Sequence, residues 1–154
     1  MNEISVKRLL VAGIVTFVVW IATEIVVEQV VGRLLFGSLI DNLWAGATDV
    51  RRWGAFNHVL NILLALLSST LLIWLYAALR PMYGVGTRTA LIASALCVVW
   101  GLVLDINGIN LGLFPLKAGL VEAAFEAVEC PIALVVGARA YEGLGRGSLD
   151  SVVE

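Results

Sequence analysis

The chain has 154 residues, 60% hydrophobic and 14% charged, with a mean hydropathy of +0.97 and a formal net charge of −2. Soluble domains are about 45–50% apolar and about 25% charged, and a body this small needs more polar side chains to cover itself in water. A water-soluble globule, a disordered chain, a disulfide-stapled module and an electrostatic nucleic-acid binder are therefore excluded, and a lipid bilayer is the partner the composition fits.

About 20 apolar residues cross a bilayer core as helix, and the charges leave four windows of that length. Arg8 and Arg33 enclose 24 residues interrupted by Glu24 and Glu28, and Arg52 and Arg80 enclose 27 with His58 as the sole ionisable group. Arg88 and Lys117 enclose 28 residues containing Asp105, and Ala118 to Ala138 is a 21-residue window holding Glu122, Glu126 and Glu129. The expected fold is an all-α integral membrane protein, an antiparallel bundle of four transmembrane helices over about 9–32, 55–79, 89–113 and 117–138. Lys7-Arg8 ahead of an apolar run imitates a signal peptide, but the run is too long and no small-x-small cleavage site closes it. Six Lys and Arg fall on the side of the N-terminus (Lys7, Arg8, Arg80, Arg88, Arg139, Arg146) and four opposite (Arg33, Arg51, Arg52, Lys117). This places both termini on the cytoplasmic side of a plasma or inner membrane.

Residues 34–54 mix Leu34, Leu35, Ile40, Leu43, Trp44 and Trp53 with charges, so an amphipathic interfacial segment is expected between the first and second spans, both tryptophans at headgroup level. Arg80-Pro81-Met82-Tyr83-Gly84-Val85-Gly86 stops a helix and turns it, and a hairpin around Phe114-Pro115-Leu116 joins the last two spans. Residues 1–142 read as one domain and 143–154 as a polar, flexible tail.

In the third span Ala90, Ser94, Cys97, Gly101, Asp105, Gly108 and Gly112 share one face in steps of three and four. Gly108 and Gly112 form a GxxxG pattern that lets helix backbones approach closely, answered by Gly119, Ala123 and Ala127 in the fourth span. The Ala90/Ser94/Gly101/Gly108/Gly112 face is a homo-oligomer contact if the bundle itself does not use it. Folding about Pro115 sets Asp105 level with Glu126 and leaves Cys97 and Cys130 about one turn, roughly 5–6 Å, out of register. They then read as two buried small residues and not a redox pair. Pro131 withholds a hydrogen bond from Ala127, so a kink or a free carbonyl is expected near Glu126 and Glu129.

At 1.5 Å per residue in a core about 30 Å thick, Glu24, Glu28, Asn57, His58, Asn61, Asp105 and Glu122 lie within about 12 Å of the outer boundary, Glu126 at about 13 Å and Glu129 near the midplane. Glu24 and Glu28 share a helix face by their spacing, as do Glu122, Glu126 and Glu129, and Asn57 and Asn61. Carboxylates within spans normally face a protein interior or a wet cavity. Six of them cannot all be ionised and unpaired, so they share protons or hold a cation. With one histidine in the chain, ferritin-like and His-rich zinc sites are ruled out. An oxygen-rich site for Ca²⁺, Mg²⁺, Mn²⁺ or a monovalent ion is what these ligands could build, and no other cofactor is indicated.

These residues point first to a transport or channel-type protein that exchanges protons or cations from the outer leaflet side. Two alternatives use the same groups. One is an intramembrane acid–base enzyme or binding protein for a lipid-soluble ligand, with Glu126, His58 and Asp105 as catalytic candidates and Trp20, Trp100 and Phe125 lining an apolar pocket. The other is a structural subunit of a larger membrane complex.

Overall fold

The computed structural model describes residues 5–32, 34, 55–113 and 115–150. The expected interfacial segment, apart from Leu34, lies outside the described residues. Among these residues the protein is all-helical, with four helices: α1 (Val6–Glu24), continued by a π-helical stretch (Ile25–Gly32), α2 (Ala55–Tyr83), α3 (Thr87–Asn110) and α4 (Leu116–Asp150). Val6–Val27, His58–Tyr83 and Thr87–Asn110 are long and apolar enough to cross a membrane. Their outward flanks carry Leu10, Leu63, Trp74, Trp100 and Leu104, all exposed, an apolar surface far larger than a soluble monomer tolerates.

α4 packs chiefly against α1 and α3, α2 packs against α1 and α3, and α2 also touches α4. Small residues set the close approaches, since apolar side chains gain little from leaving lipid for one another. A Cβ on Gly13 of α1 would come within 2.5 Å of the Thr70 hydroxyl of α2, and one on Gly137 of α4 would run into Thr16 of α1. Around these crossings Ala12, Ile73, Tyr76, Ala90, Ala93 and Leu134 form the buried core. Thr16 and Thr70 donate back to the carbonyls of Ala12 and Leu66, four residues earlier, at 2.8 and 2.9 Å, so neither hydroxyl is stranded in an apolar setting.

Two glycines end helices. Gly84 (φ +85) takes the left-handed position after α2, and its N–H donates to Arg80 O at 2.9 Å. Gly112 (φ +72) follows α3, its N–H donating to Ile109 O while that of Leu113 donates to Gly108 O, both at 3.0 Å. This pair of bonds is the Schellman arrangement, and the positive φ is what glycine supplies. It corrects the GxxxG expectation: Gly112 is a helix stop, and of the answering row in α4, Gly119 is buried but Ala127 is exposed. Gly112→Ala is expected to cost about 1 kcal/mol, the penalty of a left-handed Cβ, read as a lower unfolding midpoint in detergent.

Helix α4 differs from expectation in length. It passes through Pro131 and through Gly143 to Asp150, over residues whose glycine content predicts fraying. Its last turns lie against neighbours: Glu142 is paired with Arg80, and the Arg8 guanidinium lies so close to Gly145 that a Cβ there would meet it at 2.7 Å. In the first span the π-helical stretch starts at Ile25, so the four-residue rule that joined Glu24 to Glu28 stops applying where the α-helical ladder ends.

Candidate functional site

The fold point of the α3–α4 hairpin decides which side chains meet. Because the Schellman turn closes α3 at Leu111–Leu113, the two helices pair about residue 113 and not about Pro115. A shift of two residues at the fold point moves each partner by four, one helical turn. Glu126 consequently lies opposite Gly101, whose missing side chain leaves room for the carboxyl group, and Cys97 donates to Glu126 Oε1 at 3.9 Å. Asp105 has Glu122 as well as Glu126 within electrostatic reach. The thiols of Cys97 and Cys130, expected one turn apart, lie close enough across the helix interface to interact, with Cys97 packed against the core cluster that holds Cys130.

Carboxylates from three helices gather in this region. Glu122 feels Asp105, Glu24 and Glu126, and Glu129 feels Glu24, Glu122 and Glu126. Glu129 is 4% exposed, and the Trp20 indole is its polar neighbour on α1. Asp105 Oδ2, Glu122 Oε2 and Glu129 Oε1 are shielded from solvent and have no hydrogen-bond partner among the described residues. Unpartnered buried carboxylate oxygens are costly if charged, so this group of side chains must hold protons or neutralise itself in another way. Among the described residues no three His, Cys, Asp or Glu side chains converge tightly enough to cage a metal ion.

The remaining candidates are placed differently. His58 and Asn61 are exposed on the first turns of α2. Glu28 and Asn57 belong to helical stretches, but their side chains lie outside the described residues. Of the aromatic residues expected to line a pocket, Phe125 is buried and Trp20 half-buried, whereas Trp100 is 64% exposed on the outer flank of α3. The third-span face that was a candidate homo-oligomer contact is turned toward α4: Ser94 O accepts from Cys130 at 3.9 Å, and Gly101 and Cys97 abut Glu126.

A second polar group, at the opposite end of α2 and α4, escaped the sequence reading. Tyr76 is fully buried; its hydroxyl donates to Glu142 Oε1 at 3.0 Å and accepts the N–H of Gly86 at 3.2 Å. Arg80 Nη2 donates to Glu142 Oε2 at 3.1 Å, Arg80 Nε lies 2.9 Å from Oε1, and the guanidinium carbon sits 5.4 Å from the Tyr141 ring centre. Tyr76 and Tyr141 meet edge to face at 6.2 Å. Beside them opens a cavity of about 370 Å³ lined by Tyr76, Val85, Thr87, Val135, Arg139 and Glu142, among others. In the sequence Arg80 belongs to the turn motif after the second span and Glu142 lies beyond the fourth span, at the edge of the polar tail, so neither position alone points to the other. Comparison with protein-family models, with curated proteins and with solved structures finds no match to this chain.

Proposed function

We propose that this is a small polytopic membrane protein of four antiparallel spanning helices, with α4 crossing through its 117–138 portion, and that it exchanges protons or cations at Glu24, Asp105, Glu122, Glu126 and Glu129. The reading rests on one observation, the gathering of these five carboxylates from α1, α3 and α4 with three shielded, unpartnered oxygens among them. Deep carboxylates are functional by default in membrane proteins, because an insertion cost of roughly 2.5–3.5 kcal/mol for an acid at the helix centre is not otherwise tolerated. Adjacent carboxyl groups that share protons can pass them on with little displacement of backbone. Among the described residues these carboxylates do not close into a three-ligand cage, which favours protons as the cargo over a divalent ion. Both termini are assigned to the cytoplasmic side of a plasma or inner membrane by the Lys and Arg balance.

The test is proton flux into liposomes carrying the purified protein and a trapped pH-sensitive dye, driven by a potassium diffusion potential. Glu129→Gln and Asp105→Asn keep the side-chain shape and remove the exchangeable charge. Each is expected to lower the flux about tenfold or more, in keeping with loss of a positioned proton-transfer group. Flux equal to that of empty liposomes for the unmodified protein, or equal in the variants and the parent, overturns the reading.

A further inference from the structure

We infer that Cys97 and Cys130 form a reversible dithiol–disulfide pair that a lipid-soluble quinone oxidises within the membrane. Cys97 lies about 15 Å along α3, a helix about 36 Å long, and so near mid-depth. Cys130 is fully buried on α4, both cysteines are free thiols, and Cys97 packs against the core that holds Cys130, close enough across the helix interface for the two sulfurs to interact. The flanking contacts hold them there: Cys130 donates to Ser94 O, one turn before Cys97, and Cys97 to Glu126 Oε1, each at 3.9 Å. Gly101 leaves the space that Glu126 needs to reach the thiol.

The thiolate is the reactive form of cysteine, and Glu126 is the group placed to take the Cys97 proton. In the reaction two S–H bonds break and one S–S bond forms. The electron pair passes to the quinone, and its two oxygens take up both protons, one of them by way of Glu126, giving the quinol. A lipid-soluble oxidant is the class that reaches this depth, and the exposed Trp100, one turn from Cys97, offers a flat aromatic surface on that flank. Oxidation replaces the Cys97–Glu126 contact with a covalent tie between α3 and α4. The inference stands without the transport reading, because it requires Glu126 only as a local base.

The experiment uses the full chain in lipid nanodiscs, incubated with a short-chain benzoquinone. The intact mass is expected to fall by two hydrogens, with one quinol formed per chain. Both thiols should then resist maleimide after unfolding and regain reactivity after treatment with a dithiol reductant. Cys97→Ser and Cys130→Ser should each abolish the change, and Glu126→Gln should slow it about tenfold while Glu129→Gln leaves its rate unaltered. Full alkylation of both thiols after quinone treatment, a quinone thioether on either cysteine, or a cross-link between two chains in place of one within a chain would overturn the inference. So would an unchanged rate in Glu126→Gln.

Discussion

Gly137→Val is expected to be the most damaging single substitution in the helix interior, lowering unfolding stability by roughly 3 kcal/mol. Gly137 of α4 lies where α1 and α2 both press on it. A Cβ there would overlap the Thr16 hydroxyl, come within 3.1 Å of Thr16 Cβ and within 2.8 Å of Ile73 Cδ1. Thr16 and Ile73 are both 0% exposed, so neither has free volume to move into, and close-packed interiors transmit such strain to the backbone. Thr16 can turn away only by giving up its 2.8 Å bond to Ala12 O, a loss of about 1 kcal/mol. For Gly137→Ala the better helix propensity of alanine returns at most about 1 kcal/mol, less than the overpacking cost of about 1–3 kcal/mol together with the lost bond. Alanine should therefore also destabilise, by less than valine. Thr16→Ala in the Gly137→Ala background should recover part of the loss, because the two side chains compete for one space. Denaturant unfolding in detergent micelles measures all four proteins. A valine variant with the parental midpoint would show that α1 and α4 are not this close.

The helices were legible because charges are few and fall at the ends of apolar runs: Arg8, Arg80 and Arg88 mark where α1, α2 and α3 begin or end to within a few residues. The register between helices was less legible, since it hangs on the fold point of a hairpin. Reading the α3–α4 turn at Pro115 is natural for a residue that breaks helices, yet Gly112 stops α3 first, and the difference brings Cys97 to Cys130 and Gly101 to Glu126. That acidic residues would share an interior followed from their cost in lipid, whereas the partners they meet depended on that register. The π-helical stretch after Glu24 left no mark in a run of Ile, Val and Gln, because periodicity reports an apolar run without reporting its pitch. The Tyr76–Arg80–Glu142 group was hidden for another reason: Glu142 is 66 residues from Tyr76 and 62 from Arg80 in sequence, and each alone resembles an ordinary residue at a membrane boundary.

That group yields the second large effect. Arg80→Met is expected to cost about 2 kcal/mol, and the double variant Arg80→Met/Glu142→Met distinctly less. The Arg80 and Glu142 side chains are only 26% and 23% exposed, so the pair is screened far less than a surface ion pair, whose worth is about 0–1 kcal/mol. Removing the guanidinium leaves the part-buried Glu142 carboxylate with the Tyr76 hydroxyl as its remaining donor among the described residues, and a part-buried charge that loses its partner costs more than the pair contributed. Methionine retains much of the stem that covers Tyr141, which separates the electrostatic loss from the packing loss. When both charges are replaced, nothing is stranded, and burial of two thioether chains offsets part of what was lost. The same pair holds the α2–α3 turn through Tyr76, whose hydroxyl accepts the Gly86 N–H. Arg80→Met should therefore speed amide hydrogen exchange at Gly86 relative to the parent, and Tyr76→Phe should do so too, at a stability cost of about 1 kcal/mol. If the double variant proved less stable than Arg80→Met, the carboxylate would be well solvated without its partner, and the arginine would serve the fold through its contact with Tyr141 and not through its charge.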